Sequence, residues 1–111
     1  MLASIVIYFH SSRVSNLFQQ LRFLQKNEPC ELYQIILICQ DEIELVVEGF
    51  HDVKLICLGM LDYKKPFMCN TGVHLAESEN IVLLDCDRIL PKDYIRSNVL
   101  SLEDNTAITS T

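Results

Sequence analysis

The sequence predicts an α/β fold, with a mostly parallel sheet and helices on both of its faces. Short apolar runs with strand propensity alternate with segments whose apolar residues recur at helical spacing. The apolar runs themselves show no alternation of apolar and polar residues, which is typical of strands buried on both faces. At 111 residues, of which 50% are hydrophobic and 22% charged, the chain suits a single globular domain covering residues 1–111.

The first half of the chain contains two predicted strand–helix units. The first strand is Ala3–Phe9, and a polar turn at residues 10–12 leads into a helix over residues 13–26. The apolar residues of that helix recur at helical spacing, at Val14, Leu17, Phe18, Leu21 and Leu24. A second strand over residues 34–39 precedes a second predicted helix near residues 43–50, with apolar positions Ile43, Val46, Val47 and Phe50.

The second half continues the same alternation. A third strand is predicted over residues 53–58, followed by a helix over residues 66–78 with Pro66 in its first turn. A fourth strand over residues 81–84 precedes a last helix near residues 92–102, and residues 105–109 favour a closing strand. Repeated strand–helix units imply a parallel sheet with right-handed crossovers, and therefore a Rossmann-like architecture.

Charge and composition exclude several classes of partner and location. The net charge of -6 disfavours binding to nucleic acid or to an anionic membrane surface, since either needs a basic face. No apolar run approaches the length of a transmembrane span, and the first residues lack the basic region of a signal peptide. Five cysteines without C-x-x-C spacing favour reduced thiols, buried at Cys39 and Cys57, in a cytoplasmic protein without a zinc site.

Two common nucleotide-binding motifs are absent from the sequence. The first strand is followed by His-Ser-Ser-Arg instead of G-x-G-x-x-G, which disfavours a classical dinucleotide site. The sequence contains no G-x-x-x-x-G-K-[ST], which excludes a P-loop. No acidic cluster follows the first strand, as a phospho-receiver domain would require.

The fourth predicted strand ends in Asp85-Cys86-Asp87. Ligands of open α/β sheets bind beyond the carboxyl ends of the strands. Two carboxylates at such an end can share a hard divalent cation and the diphosphate that it carries. The alternative is that both are solvated acids that end a strand or cap a following helix.

Taken in order, four segments resemble the nucleotide-binding, N-terminal half of glycosyltransferase family 2, the GT-A fold, including its galactosyltransferase-like members. The resemblance covers roughly residues 3–109. Residues 4–10 and 34–39 resemble the first two strands of the family, residues 70–76 its N-x-G-x-x-x-A helix, and residues 81–91 the strand that ends in D-x-D and a following Leu-Pro.

This resemblance implies a nucleotide-sugar ligand, with a UDP-sugar as the first candidate, and a manganese or magnesium ion. It implies that Asp87 coordinates the ion and that Asp85 holds the ribose or the water shell of the ion. Further contacts to the nucleotide-sugar are implied for His10, Ser11, Asp41, Lys65 and Asn70. Each has a structural alternative, namely a turn, a helix cap, a solvated charge or, for Asn70, a brace for the D-x-D loop.

The chain departs from the family pattern at two strand ends. Tyr8 stands where the family usually has proline, and Cys39 or Gln40 where it usually has an acidic residue. The catalytic base of the family comes from its acceptor half, which we expect to be missing from this chain, so no base is assigned. The expected function is a glycosyltransferase-type domain that binds a nucleotide-sugar for transfer to an acceptor hydroxyl. The alternative is a non-catalytic binding or assembly module, and in either case we expect a homo-oligomer that involves residues 99–109.

Overall fold

The computed structural model describes residues 3–27, 33–50, 52–62, 64–87 and 107–109. A short 3-10 turn, Ser11–Arg13, precedes the first helix, and Pro66 lies in the first turn of the second. The regular elements in chain order are β1 (Ala3–Phe9), α1 (Val14–Asn27), β2 (Tyr33–Cys39), β3 (Asp52–Cys57), α2 (Lys65–Leu75), β4 (Ile81–Asp85) and β5 (Ala107–Thr109).

These strands form one parallel sheet in the order β3-β2-β1-β4-β5, which confirms the predicted α/β fold and its parallel sheet. β2 and β3 lie on one side of β1, and β4 and β5 on the other. The strand order therefore reverses between β1 and β4, as it does in doubly wound sheets.

The two helices cover opposite faces of the sheet, as predicted. On one face, Leu17, Leu21 and Leu24 of α1 pack against inward-facing residues of β1, β2 and β4. On the other face, Met68 of α2 packs against a smaller cluster formed by Val6, Tyr8, Ile36 and Ile38. Every residue of β1 and β2 is buried, so the absence of alternation in these runs correctly indicated burial on both faces.

α2 approaches β1 closely at Gly72. A Cβ atom added to Gly72 would overlap Cγ1 of Val6, which is itself fully buried. The backbone of the helix thus lies directly on the side chain of a central strand, where only glycine fits.

The helix predicted near residues 43–50 does not form, and this prediction is wrong. Burial alternates along the segment instead. Ile43, Leu45 and Val47 are half-buried against the core on the α1 face, whereas the side chain of Val46 is 80% exposed. The apolar residues fit both a helical period and a period of two, and packing onto the existing core favours the second.

The predicted burial of β4 needs a smaller correction. In β4, Val82 and Leu84 are buried, but Ile81 and Leu83 are only half-buried, so one face of this strand is less covered than its apolar run predicted.

The helix predicted near residues 92–102 lies outside the described residues. Within the part of the chain that the structure describes, neither helix has the length and apolar character needed to cross a membrane.

A buried polar network closes the amino end of the sheet. Ser4 and Gln34 are register partners in β1 and β2, and the Ser4 hydroxyl donates to Oε1 of Gln34 at 2.8 Å. The backbone N–H of Glu77 also donates to this oxygen at 3.0 Å, and that of Ser78 donates to Oγ of Ser4 at 3.1 Å. Gln34 donates in turn to Asp52 at 3.3 Å, which ties β1, β2, β3 and the turn before β4 together.

Candidate functional site

A cleft of about 280 Å³ opens at the carboxyl end of the sheet between β1 and β4. This is the point where the strand order reverses, and crevices at such points are the usual ligand sites of open α/β sheets. Its walls come from the end of β1, the start of the first helical segment and the end of β4. The lining residues are Tyr8, Phe9, His10, Arg13, Asp85, Cys86 and Asp87.

The two carboxylates of the D-x-D sequence are held by hydrogen bonds on one oxygen each. The backbone N–H of Asp87 donates to Oδ1 of Asp85 at 3.0 Å, which closes a tight turn. The side-chain amide of Asn16 donates to Oδ1 of Asp87. Gln20 donates to the backbone carbonyl of Asp85 at 3.0 Å, which links α1 to the end of β4. Oδ2 of either aspartate accepts no hydrogen bond from the part of the chain that the structure describes.

This donor set suits a hard divalent cation. The nearest ligand atoms of Asp85, Cys86 and Asp87 lie within 4.8 Å of one another. Desolvation, reinforced by the charges of Asp87 and Asp85, raises the pKa of the Cys86 thiol to about 12. Cys86 is therefore protonated near neutral pH and offers no thiolate, so the available ligands are carboxylate oxygens, as magnesium and manganese prefer.

Asp41, just after β2, joins the ends of two strands. Its Oδ1 accepts hydrogen bonds from the Ser11 backbone N–H at 2.9 Å and from the Cys39 thiol at 3.2 Å. Its Oδ2 accepts from the Ser11 hydroxyl and lies 3.5 Å from Nε2 of His10. Both carboxylate oxygens are thus engaged by the protein, and the residue fixes the turn that follows β1.

Ionisation of Asp41 is favoured by these contacts. Desolvation acts to raise the pKa of Asp41, but hydrogen bonds from the Ser11 side chain, the Ser11 backbone and Cys39 outweigh it, so the pKa lies well below its usual range. His10 caps the turn: its Nδ1 accepts the backbone N–H of Ser12 at 3.1 Å. That bond assigns the ring proton of neutral His10 to Nε2, facing Asp41. His10 is therefore the capping residue of the turn at Ser11–Arg13.

Six of the seven predicted site residues lie in the cleft or beside it. His10, Asp85 and Asp87 line the cleft, and Ser11 and Asp41 adjoin it through the contacts to His10. Lys65 lies nearby, because its Nζ is 5.6 Å from the centre of the Tyr8 ring, and Tyr8 lines the cleft.

Asn70 lines a different groove. This second depression, of about 500 Å³, lies between α2 and β3 and is bordered by Ile56, Phe67, Thr71, His74 and Leu75. The role predicted for Asn70 at the nucleotide therefore remains a prediction that its position does not support.

Three residues of the site were not predicted as such from the sequence. Arg13 lines the cleft, and its charge acts on Cys86, which lies between the two aspartates. Asn16 and Gln20 reach the D-x-D turn from α1. The spacing of residues 13, 16 and 20 places them on one helical face, and this polar stripe beside the apolar face was the available signal.

No protein-family model matches the chain, and no curated protein or solved structure shows significant similarity to it. The established features are therefore those of the structure itself: the parallel α/β fold, the cleft, and an acidic Asp85-Cys86-Asp87 group that could hold a metal ion.

Proposed function

We propose that this domain binds a nucleotide diphosphate-sugar together with a divalent cation in the cleft between β1 and β4. The observation that carries the proposal is the pair of unengaged Oδ2 atoms of Asp85 and Asp87, held at the point where the strand order reverses. A cation at these oxygens would supply Lewis-acid stabilisation of a diphosphate.

The residues of the chain would divide the ligand between them. Asp87, whose side chain is exposed, is the principal ligand for the cation, and Asp85 supports it from the half-buried strand end. Arg13, which also lines the cleft, supplies a positive charge for phosphate oxygens. The nucleoside would rest against the turn at His10 and Ser11. Asp41 holds this turn in place through its contacts to both residues. UDP is the first candidate nucleotide because of the family 2 resemblance.

Transfer of the sugar to an acceptor hydroxyl is the reaction that this resemblance suggests. Such a step needs a base to take the hydroxyl proton. Among the described residues that line the cleft, the only carboxylates are the two assigned to the cation, and both ring nitrogens of His10 face protein partners. The engagement of these groups favours, as a second candidate, a binding or assembly module that binds the nucleotide-sugar without catalysing its transfer.

Titration calorimetry with UDP, with and without manganese, tests the binding proposal. We expect manganese-dependent binding by the parent protein and at least about a tenfold weaker affinity for Asp87→Ala and Asp85→Asn, as is typical when metal-site groups are removed. Glu79→Gln is the matched control, because Glu79 is an exposed acid before the opposite end of β4.

The proposal is wrong if the parent binds UDP equally well with and without manganese, or if Asp87→Ala binds as the parent does. Incubation of a UDP-sugar with hydroxyl acceptors separates the two candidates. Release of UDP with formation of a glycoside identifies a transferase, whereas manganese-dependent binding without turnover identifies a binding module.

A further inference from the structure

We propose that Cys39 and Cys57 form a thiol-modification site, at which a low-molecular-weight disulfide such as oxidised glutathione converts the two thiols into a disulfide. The two residues are the last residues of neighbouring strands and are direct register partners. Neither cysteine lines the acidic cleft, although Cys39 contacts Asp41 beside it, and the proposal does not depend on the function proposed for the cleft.

The register places the Cα atoms of the two residues within the range that disulfides span. Neighbouring strands lie about 4.8 Å apart, and disulfides join residues whose Cα atoms are about 4.4–6.8 Å apart. In-register residues of parallel strands point to the same face of the sheet. Cys39 and Cys57 each lie an even number of residues from the neighbours in their strands that pack on the α1 face. A thiolate at Cys57 would raise the pKa of the Cys39 thiol, as expected of close neighbours.

The two thiols differ in access. Cys39 is fully buried, whereas Cys57 is exposed, so the expectation that both would be buried is wrong for Cys57. Both thiols donate to the segment that leaves β2: Cys39 to Oδ1 of Asp41 at 3.2 Å, and Cys57 to the backbone carbonyl of Ile43 at 3.5 Å. Neither of the other two cysteines in the described part of the chain, Cys69 and Cys86, is a register partner of a cysteine.

This asymmetry fixes the order of the two steps. The exposed Cys57 thiolate attacks one sulfur of oxidised glutathione, which forms a mixed disulfide and releases one glutathione thiolate. Cys39 then loses its proton to solvent and attacks the Cys57 sulfur, which forms the protein disulfide and releases the second glutathione. Two protein thiols are oxidised, and one small disulfide is reduced to two thiols.

The second step is the slower one. Desolvation, followed by the hydrogen bond and charge of Asp41, raises the pKa of the Cys39 thiol to about 12, so little thiolate is present near neutral pH. The mixed disulfide at Cys57 should therefore accumulate before the internal disulfide appears. Once formed, the disulfide no longer carries the S–H that Cys39 donates to Asp41.

Mass spectrometry of the parent protein exposed to oxidised glutathione tests the proposal. We expect a glutathione adduct on Cys57 first, then its conversion to a species two protons lighter than the reduced protein. Non-reducing peptide mapping should assign the link to Cys39 and Cys57. Cys39→Ser should accumulate the adduct without resolving it, Cys57→Ser should lose the early adduct, and Cys69→Ser should behave as the parent does.

A parent protein in which mapping finds no link between Cys39 and Cys57 would overturn the proposal, as would an early adduct rate that Cys57→Ser leaves unchanged. The mapping uses the parent chain, so its result does not depend on whether either variant folds. A near-unchanged melting curve for Cys57→Ser shows that the exposed residue was replaced without loss of structure.

Discussion

The carboxylate of Asp41 is held by donors from Ser11, in the turn after β1, and from Cys39, the last residue of β2. Its lowered pKa means that the ionised form stabilises the native protein relative to the unfolded chain, in which the pKa is about 3.9. That stabilisation is fully present above about pH 4 and is lost as the pH falls toward the lower pKa of the folded state.

Asp41→Asn should accordingly flatten the dependence of stability on pH in the acid range. Between about pH 5 and pH 2.5, the variant should lose less free energy of unfolding than the parent, because it lacks the group whose protonation destabilises the fold. Urea unfolding at several pH values measures this. Asp62→Asn, at an exposed loop residue, controls for the loss of one negative charge and should keep the slope of the parent. An equally steep decline in Asp41→Asn would contradict the role given to its hydrogen bonds.

Sequence reasoning found only part of the residue-scale arrangement. Asp85 and Asp87 could be predicted because they directly follow an apolar strand, and the end of a strand fixes where they lie. The contact between Ser11 and Asp41 spans 30 residues, and that between Asn16 and Asp87 spans 71. Such partners depend on strand order and register, which a single sequence does not specify.

At the scale of elements, the segment after Asp41 shows how packing decides between two periods. Its sequence places apolar residues at both helical and alternating positions, and local pattern alone cannot distinguish them. Val46 would face the core in the helix, but it is 80% exposed in the structure, whereas Val47 packs against the core.

Two aspartate substitutions distinguish these arrangements. Val46→Asp should change the free energy of unfolding by no more than about 0.5 kcal/mol, as is usual for exposed sites. Val47→Asp should cost about 1–3 kcal/mol, because it places a polar group among half-buried apolar side chains. Chemical denaturation of both variants provides the measurement, and similar costs at the two positions would support the helix that the sequence predicted.

The close contact between α2 and β1 predicts that Gly72→Ala destabilises the protein. In a helix without tertiary constraint, Gly72→Ala would be stabilising by roughly 1 kcal/mol through helix propensity. Because the added methyl group would overlap Val6, we expect destabilisation by about 1–3 kcal/mol instead.

A double-mutant cycle checks the cause. Gly72→Ala should cost less in a Val6→Ala background, with a coupling of about 0.5–3 kcal/mol measured by urea unfolding. If Gly72→Ala stabilises the parent protein, the close approach of helix and strand is wrong.

At the scale of the whole molecule, the alternation of strands and helices was enough to predict the class of fold. Buried apolar runs and one amphipathic helix indicate a parallel sheet with covered faces, and both features recur in the structure. The strand order was not predictable from these runs, because nothing in β1 selects β2 and β4 as its two neighbours.

Association through the sheet edge remains a prediction. Within the described residues, β5 is the outermost strand beside β4, and an outer strand presents unpaired backbone groups to a second chain. We expect a symmetric dimer of twice 12.8 kDa in analytical ultracentrifugation at micromolar concentration. Ile108→Pro should shift it toward monomer, because proline removes a backbone donor from the strand. A parent protein that sediments only as a monomer would refute this edge as an interface.

The Ser4–Gln34 hydrogen bond at the amino end of the sheet has a consequence for how the strands find each other. β1 and β2 are apolar on both faces, so sliding one strand past the other would exchange one set of apolar contacts for another similar set. A slip would, however, separate the buried serine from the buried glutamine and break the hydrogen bond between them, at a cost of about 0.5–1.5 kcal/mol. The pair therefore favours one register of β1 against β2. It contributes to the uniqueness of the fold more than to the free energy of unfolding.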